Sequence, residues 1–83
     1  MTDAVRLLAF AGAADVLRAR ELTFRAALPC SARALFDRVC EAYPELAPYR
    51  GSLRLAVNGE WAAWEREVVA GDEVALMPPV SGG

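Results

Sequence analysis

The chain has no lysine, histidine, glutamine or isoleucine; its nine cations are all arginine, set against eleven Asp and Glu, for a net charge of -2. Without lysine, no side-chain amine is open to acylation or conjugation. Without histidine, the commonest general base and a leading metal ligand are missing. The two cysteines, Cys30 and Cys40, make a poor metal site by themselves, and cytoplasmic proteins rarely keep a disulfide. The arginines run from Arg6 to Arg66 without clustering along the chain, so the basic stripe of a nucleic-acid binder is absent. No apolar run approaches the roughly 18 residues needed to cross a bilayer. The opening Met1-Thr2-Asp3 has neither the positive flank nor the apolar stretch of a signal peptide. The expectation is a cytoplasmic protein that binds neither nucleic acid nor membrane.

What is present is 55% apolar residues in 83, enough for one domain with its own core. Val5 to Ala11 reads as a strand, apolar on both parities from Leu7 and so expected to be covered on both faces for part of its length. Residues 12–18 read as a loop with a helical turn. From Glu21 to Leu28 the pattern alternates, Leu22, Phe24, Ala26 and Leu28 against Glu21, Thr23 and Arg25, which predicts a half-buried strand antiparallel to the first. Ser31 is a good N-cap, and Ala32, Leu35, Phe36, Val39, Cys40 and Tyr43 follow on one helical stripe up to Pro44. Cys40 therefore reads as a small buried hydrophobe, with Cys30 more exposed. Residues 45–52 read as a loop with at most a short turn. Leu53, Leu55 and Val57 alternate with Arg54, Ala56 and Asn58 as a third strand. Asn58-Gly59 is a tight-turn signal, Trp61 to Trp64 a short return strand, Ala70-Gly71-Asp72 a turn, and Glu73 to Met77 a final strand.

This order predicts an α+β fold, a β-grasp with a small mixed sheet packed on one main helix. Residues 1–77 form the domain and 78–83 an extended tail. A ferredoxin-like variant needs a second helix, and none is read.

After Glu73 no charged side chain follows, so the segment is desolvated cheaply except at a terminal carboxylate. Pro78-Pro79 favours an extended backbone, and Gly82-Gly83 permits close backbone approach by a partner. Six extended residues span on the order of 20 Å, enough to enter a deep site in another protein. A carboxylate anion is a poor electrophile, so chemistry at Gly83 requires activation to an anhydride such as an acyl-adenylate. Sulfide delivered to the adenylate gives a thiocarboxylate, and such a carrier needs no catalytic side chains of its own. That agrees with the missing histidine and with the lack of any nucleophile–base pair.

Three stretches carry a resemblance over essentially the whole chain: Val5-Arg6-Leu7-Leu8-Ala9-Phe10-Ala11, the Val57-Asn58-Gly59 turn, and Gly71-Asp72-Glu73-Val74 leading to Pro78-Pro79-Val80-Ser81-Gly82-Gly83. The sequence resembles the MoaD family, the ubiquitin-like small subunits of molybdopterin synthase. The resemblance implies a ubiquitin-like β-grasp that is not an enzyme on its own. It implies that a MoeB-like, E1-type partner adenylates Gly83 with ATP and that a sulfurtransferase supplies sulfur. The tail Pro78, Pro79, Val80, Ser81 and Gly82 then inserts into a MoaE-like large subunit, where sulfur passes to a pterin precursor of the molybdenum cofactor. ATP and pterin would be bound by the partners, leaving this chain without a cofactor or metal. Family members often carry paired phenylalanines where this chain has Ala9-Phe10 and Leu76-Met77. By strand parity Phe10 and Met77 face away from the core, and with Trp61 they are expected to form an exposed apolar patch for partners. A competing expectation is that Trp61 closes one end of the core.

The segment from Ala56 to Gly83 is also similar to sulfur carriers of thiamine biosynthesis, and carriers feeding cysteine biosynthesis end in Gly-Gly as well. A ubiquitin-like modifier conjugated through Gly83 shares the chemistry up to the adenylate.

Overall fold

The computed structural model describes residues 2–78. Ten elements follow in order. Strand β1 is Thr2–Ala9, helix α1 Ala11–Leu17, β2 Glu21–Ala27, β3 Cys30–Ser31 and helix α2 Ala32–Ala42. A 3-10 helix at Pro44–Tyr49 precedes β4 Arg54–Val57, β5 Glu60–Trp61, β6 Glu67–Val68 and β7 Glu73–Met77. Five strands make the main sheet in the order β2-β1-β7-β4-β5, and β3 pairs with β6 in a two-stranded ladder. β1 and β7 are parallel at the centre; every other pairing is antiparallel. This is the β-grasp, a mixed sheet holding one main helix.

Alternation decides which face is covered. Val5, Leu7 and Ala9 of β1, Leu55 and Val57 of β4, and Val74 and Leu76 of β7 are buried with Ala32, Leu35, Phe36, Val39 and Cys40 of α2 in one cluster. Each Leu or Val so buried contributes about 1.5–3 kcal/mol. The start of α2 is fully prepared for. The Ser31 hydroxyl accepts from the Ala34 N–H at 3.1 Å, while the Ala32 and Arg33 N–H groups donate to the Arg66 and Trp64 carbonyls at 2.8 and 3.0 Å. Three otherwise orphaned donors of the first turn are thereby satisfied.

The structure corrects the sequence reading in four places, the first being the return strand, which is Glu60–Trp61 and does not reach Trp64. A second helix, α1, stands where a loop with a helical turn was expected. Its N-cap Phe10 makes no side-chain cap bond, and its C-cap Arg18 takes a left-handed φ of 57°, the position glycine usually marks. Tertiary packing of Ala13 and Leu17, four residues apart on one face, holds it in place of local capping. This helix does not produce a ferredoxin-like fold, because β1 and β2, which it joins, are directly paired and antiparallel, whereas a βαβ crossover joins parallel strands. The β3–β6 ladder was also unread; two-residue strands carry no periodicity, and their pairing is long-range. Finally, β1 is not covered on both faces: Leu8 is half-buried and Phe10 is exposed, both opposite the helix side.

Candidate functional site

The uncovered face of the main sheet is apolar where alternation would ordinarily place charge. Leu8 lies opposite Ala75, Ala75 opposite Ala56, and Ala56 opposite Trp61, so one row of apolar side chains crosses β1, β7, β4 and β5. Directly opposed residues approach closely enough for their side chains to pack. The next row, toward the end of β7, holds Met77 opposite Arg54. Because Ala9 pairs with Leu76, one further residue brings Phe10 level with Met77. The apolar row, Phe10 and Met77 surround a depression of about 290 Å³. Phe10, Trp61, Leu8 and Met77 stand around it, and the short Ala56 and Ala75 side chains give it depth. Phe10 is 45% and Trp61 61% exposed, so Trp61 is not a plug for the core.

The opposite end of the face is charged. Glu73 borders the depression, and Arg6 lies across from it on β1. Arg6 donates to both carboxylate oxygens of Glu21 at 3.1 and 2.8 Å and reaches Glu73 at 3.8 Å. The hydrogen bond from Arg6 holds the Glu21 carboxyl below its ordinary range. These groups are exposed, so their value lies in marking where the apolar surface stops rather than in stability.

Trp61 owes its position to a hairpin that only special backbone allows. Asn58 and Gly59 take φ values of 53° and 83°, which Asn and Gly tolerate best. The Asn58 side chain then ties this hairpin to the root of β7. Its Oδ1 accepts from the Glu73 N–H at 3.0 Å, its Nδ2 donates to Asp72 Oδ1 at 3.0 Å, and its own N–H donates to the Glu73 carbonyl at 2.7 Å. Asp72 Oδ2 accepts from the Val69 N–H at 3.0 Å. That backbone bond, followed by the Asn58 amide, holds the Asp72 carboxyl below the usual aspartate range. The hairpin bearing Trp61 and the root of β7 are therefore tied together by three hydrogen bonds of Asn58.

The structure thus brings Phe10, Trp61 and Met77 around one depression, with Pro78 half-buried directly after Met77. Pro79, Val80, Ser81, Gly82 and Gly83 lie outside the described residues. Leu8, Ala56 and Ala75 were missed as site residues. Their signal was present, since each sits at an outward parity position yet is apolar. Cys40 is buried and Cys30 partly so; both are free thiols, and burial raises both pKa values. Neither lines the depression, whose only ionisable lining residue among those described is Glu73. The arrangement suits binding, with no side-chain set for covalent chemistry.

Comparison with known proteins adds the family. The model described as the ThiS family matches residues 10–83. A molybdopterin synthase sulfur carrier subunit from Homo sapiens is 30% identical over 82 residues, covering 95% of this chain and 93% of that protein. One from Aedes aegypti is 36% identical over 56 residues, 64% of this chain, and the match spans only 57% of that protein. The Haloferax volcanii small archaeal modifier protein 1 superposes with a TM-score of 0.80 at 26% identity, over 94% of this chain and 99% of that one. A chain of the complex of subunits 1 and 2 of molybdopterin-converting factor from Helicobacter pylori gives a TM-score of 0.67 at 20% identity, with both chains covered in full (100%), a likeness of fold alone.

Proposed function

Because the chain belongs to the ThiS family, we propose that it is a sulfur carrier, the small subunit of a molybdopterin synthase, with Gly83 as its reactive residue. The observation that carries the reading is the placement of the tail root. Met77 and Pro78 leave the sheet at the edge of an apolar depression built by Phe10 and Trp61, so a partner that covers the depression receives the tail.

The chemistry follows from the carboxylate. A Gly83 oxygen attacks the α-phosphorus of ATP on an E1-type partner, expelling pyrophosphate and leaving an acyl-adenylate. Sulfide, freed from the persulfide of a sulfurtransferase by a thiol reductant, then forms the C–S bond at the Gly83 carbonyl carbon as the C–O bond to AMP breaks. The resulting thiocarboxylate enters a large synthase subunit, its sulfur bonds to a carbon of a pterin precursor, and water cleaves the C–S bond at Gly83, returning the carboxylate. The chain contributes recognition and reach, and the partners contribute nucleotide and pterin sites. The relatives named as molybdopterin synthase sulfur carrier subunits support this choice of destination. Work in the cytoplasm accords with this chemistry.

The test is reconstitution. Thiocarboxylated chain mixed with a molybdopterin synthase large subunit and the cyclic pterin precursor is expected to yield molybdopterin, and deletion of Gly83 to abolish the yield. Absence of product in a mixture where a known small subunit succeeds would overturn this destination. A second reading, conjugation to other proteins through Gly83, is favoured by the likeness to small archaeal modifier protein 1. A modifier of this sequence would build no lysine-linked chains upon itself, since it has no lysine. Thiol-resistant adducts on target lysines in cell extract would move the assignment to that reading.

A further inference from the structure

A second concavity lies where the start of β4 meets α2, and it shares no lining residue with the depression above. Arg33, Phe36, Arg50, Leu53, Arg54 and Trp64 line it around a volume of about 440 Å³. Three of the chain's nine arginines converge here, Arg33 from α2, Arg50 from the segment leading into β4 and Arg54 from its start, although the protein as a whole is acidic.

Their partners are aromatic more than acidic. The Arg33 guanidinium lies over the Trp64 ring at 5.8 Å and that of Arg50 over Phe36 at 5.6 Å. The two rings themselves meet at 5.3 Å, tilted by 41°. Arg50 also pairs with Asp37, but among the described residues no carboxylate lies within ion-pair distance of Arg33 or Arg54. Guanidinium forks match phosphate oxygens in pairs, and a guanidinium stacked on indole presents a flat surface to a further ring. An acidic side chain from a protein would gain little from concavity, whereas the volume falls in the range of small-molecule sites.

We propose that this cavity binds a small ring-bearing phosphate, a mononucleotide, with the phosphate on Arg50 and Arg54 and the ring against the Arg33–Trp64 stack. Nucleotide held here is separate from any consumed at Gly83 by an activating partner, and the inference stands without the sulfur-carrier reading.

The experiment is an NMR titration of the full chain with AMP, adenosine, inorganic phosphate and a glutamate-rich peptide. AMP is expected to shift the Trp64 indole resonance with saturable, submillimolar affinity, and adenosine and phosphate to bind at least tenfold more weakly. Arg54→Ala and Arg33→Ala should each weaken AMP at least fivefold with unchanged circular dichroism, while Arg25→Ala, exposed on β2, should leave it unaltered. An unmoved Trp64 resonance at saturating AMP would overturn the proposal. So would equal affinity in Arg54→Ala, an exposed position whose loss does not threaten folding, or preferential binding of the acidic peptide.

Discussion

Both faces of the central sheet carry apolar residues on β1, β4 and β7, yet only one is covered. On the helix side Leu7, Leu55, Val57, Val74 and Leu76 are essentially inaccessible. On the other side Leu8, Phe10, Ala56, Ala75, Trp61 and Met77 form a surface with nothing packed on it among the described residues. Burial on the first face stabilises the fold. Exposure on the second contributes nothing to stability and marks a place where another protein gains by removing that area from water. The same strands thus serve folding with one parity and association with the other.

The comparison predicts a sharp split between substitutions one residue apart. Leu76→Ala opens a cavity in the closed face and should cost about 2–5 kcal/mol in denaturant unfolding. Met77→Asp, on the open face, should leave stability within about 0.5 kcal/mol while weakening partner binding at least tenfold, read by calorimetry with the large subunit. Unchanged affinity for Met77→Asp would dissolve the distinction. The hairpin that holds Trp61 in place gives a smaller effect. Asn58→Ala loses both its side-chain hydrogen bonds and its tolerance for positive φ, for about 1–2 kcal/mol. Asn58→Gly restores the backbone alone and should recover part of that.

Acid sensitivity at Asp72 is the smallest effect expected. Its carboxyl titrates lower in the folded chain than in the unfolded one, because the Val69 N–H and then the Asn58 amide stabilise the anion. Its contribution is therefore complete above the ordinary aspartate range and fades as pH falls through the lower folded value. Asp72→Asn should flatten the acid limb of a stability–pH curve slightly and leave the neutral region's slope unaltered.

Much of the fold was readable because its signals are local. Ser31 before the Ala32–Tyr43 stripe, the alternation from Glu21, and Asn58-Gly59 each encode their structure within a few residues. Helix α1 was not readable, because Phe10 caps nothing and Arg18 occupies a position that glycine would have announced. The buried Leu46 within the 3-10 helix is likewise set by tertiary packing and not by any periodic neighbour. At the site, parity alone oriented Phe10 and Met77, and the turn placed Trp61. Register across four strands was needed to join them through Ala56 and Ala75. The arginine cavity was invisible to a scan for clustered charge, since Arg33 of α2 joins Arg50 and Arg54 only in three dimensions.

The central claim concerns Gly83, and intact-mass spectrometry tests it most directly. The full chain, incubated with its E1-type partner, ATP and a sulfur source, should gain the mass of one oxygen replaced by one sulfur, with fragmentation locating the change at Gly83. No gain, under conditions where an established carrier reacts to completion, would contradict the account.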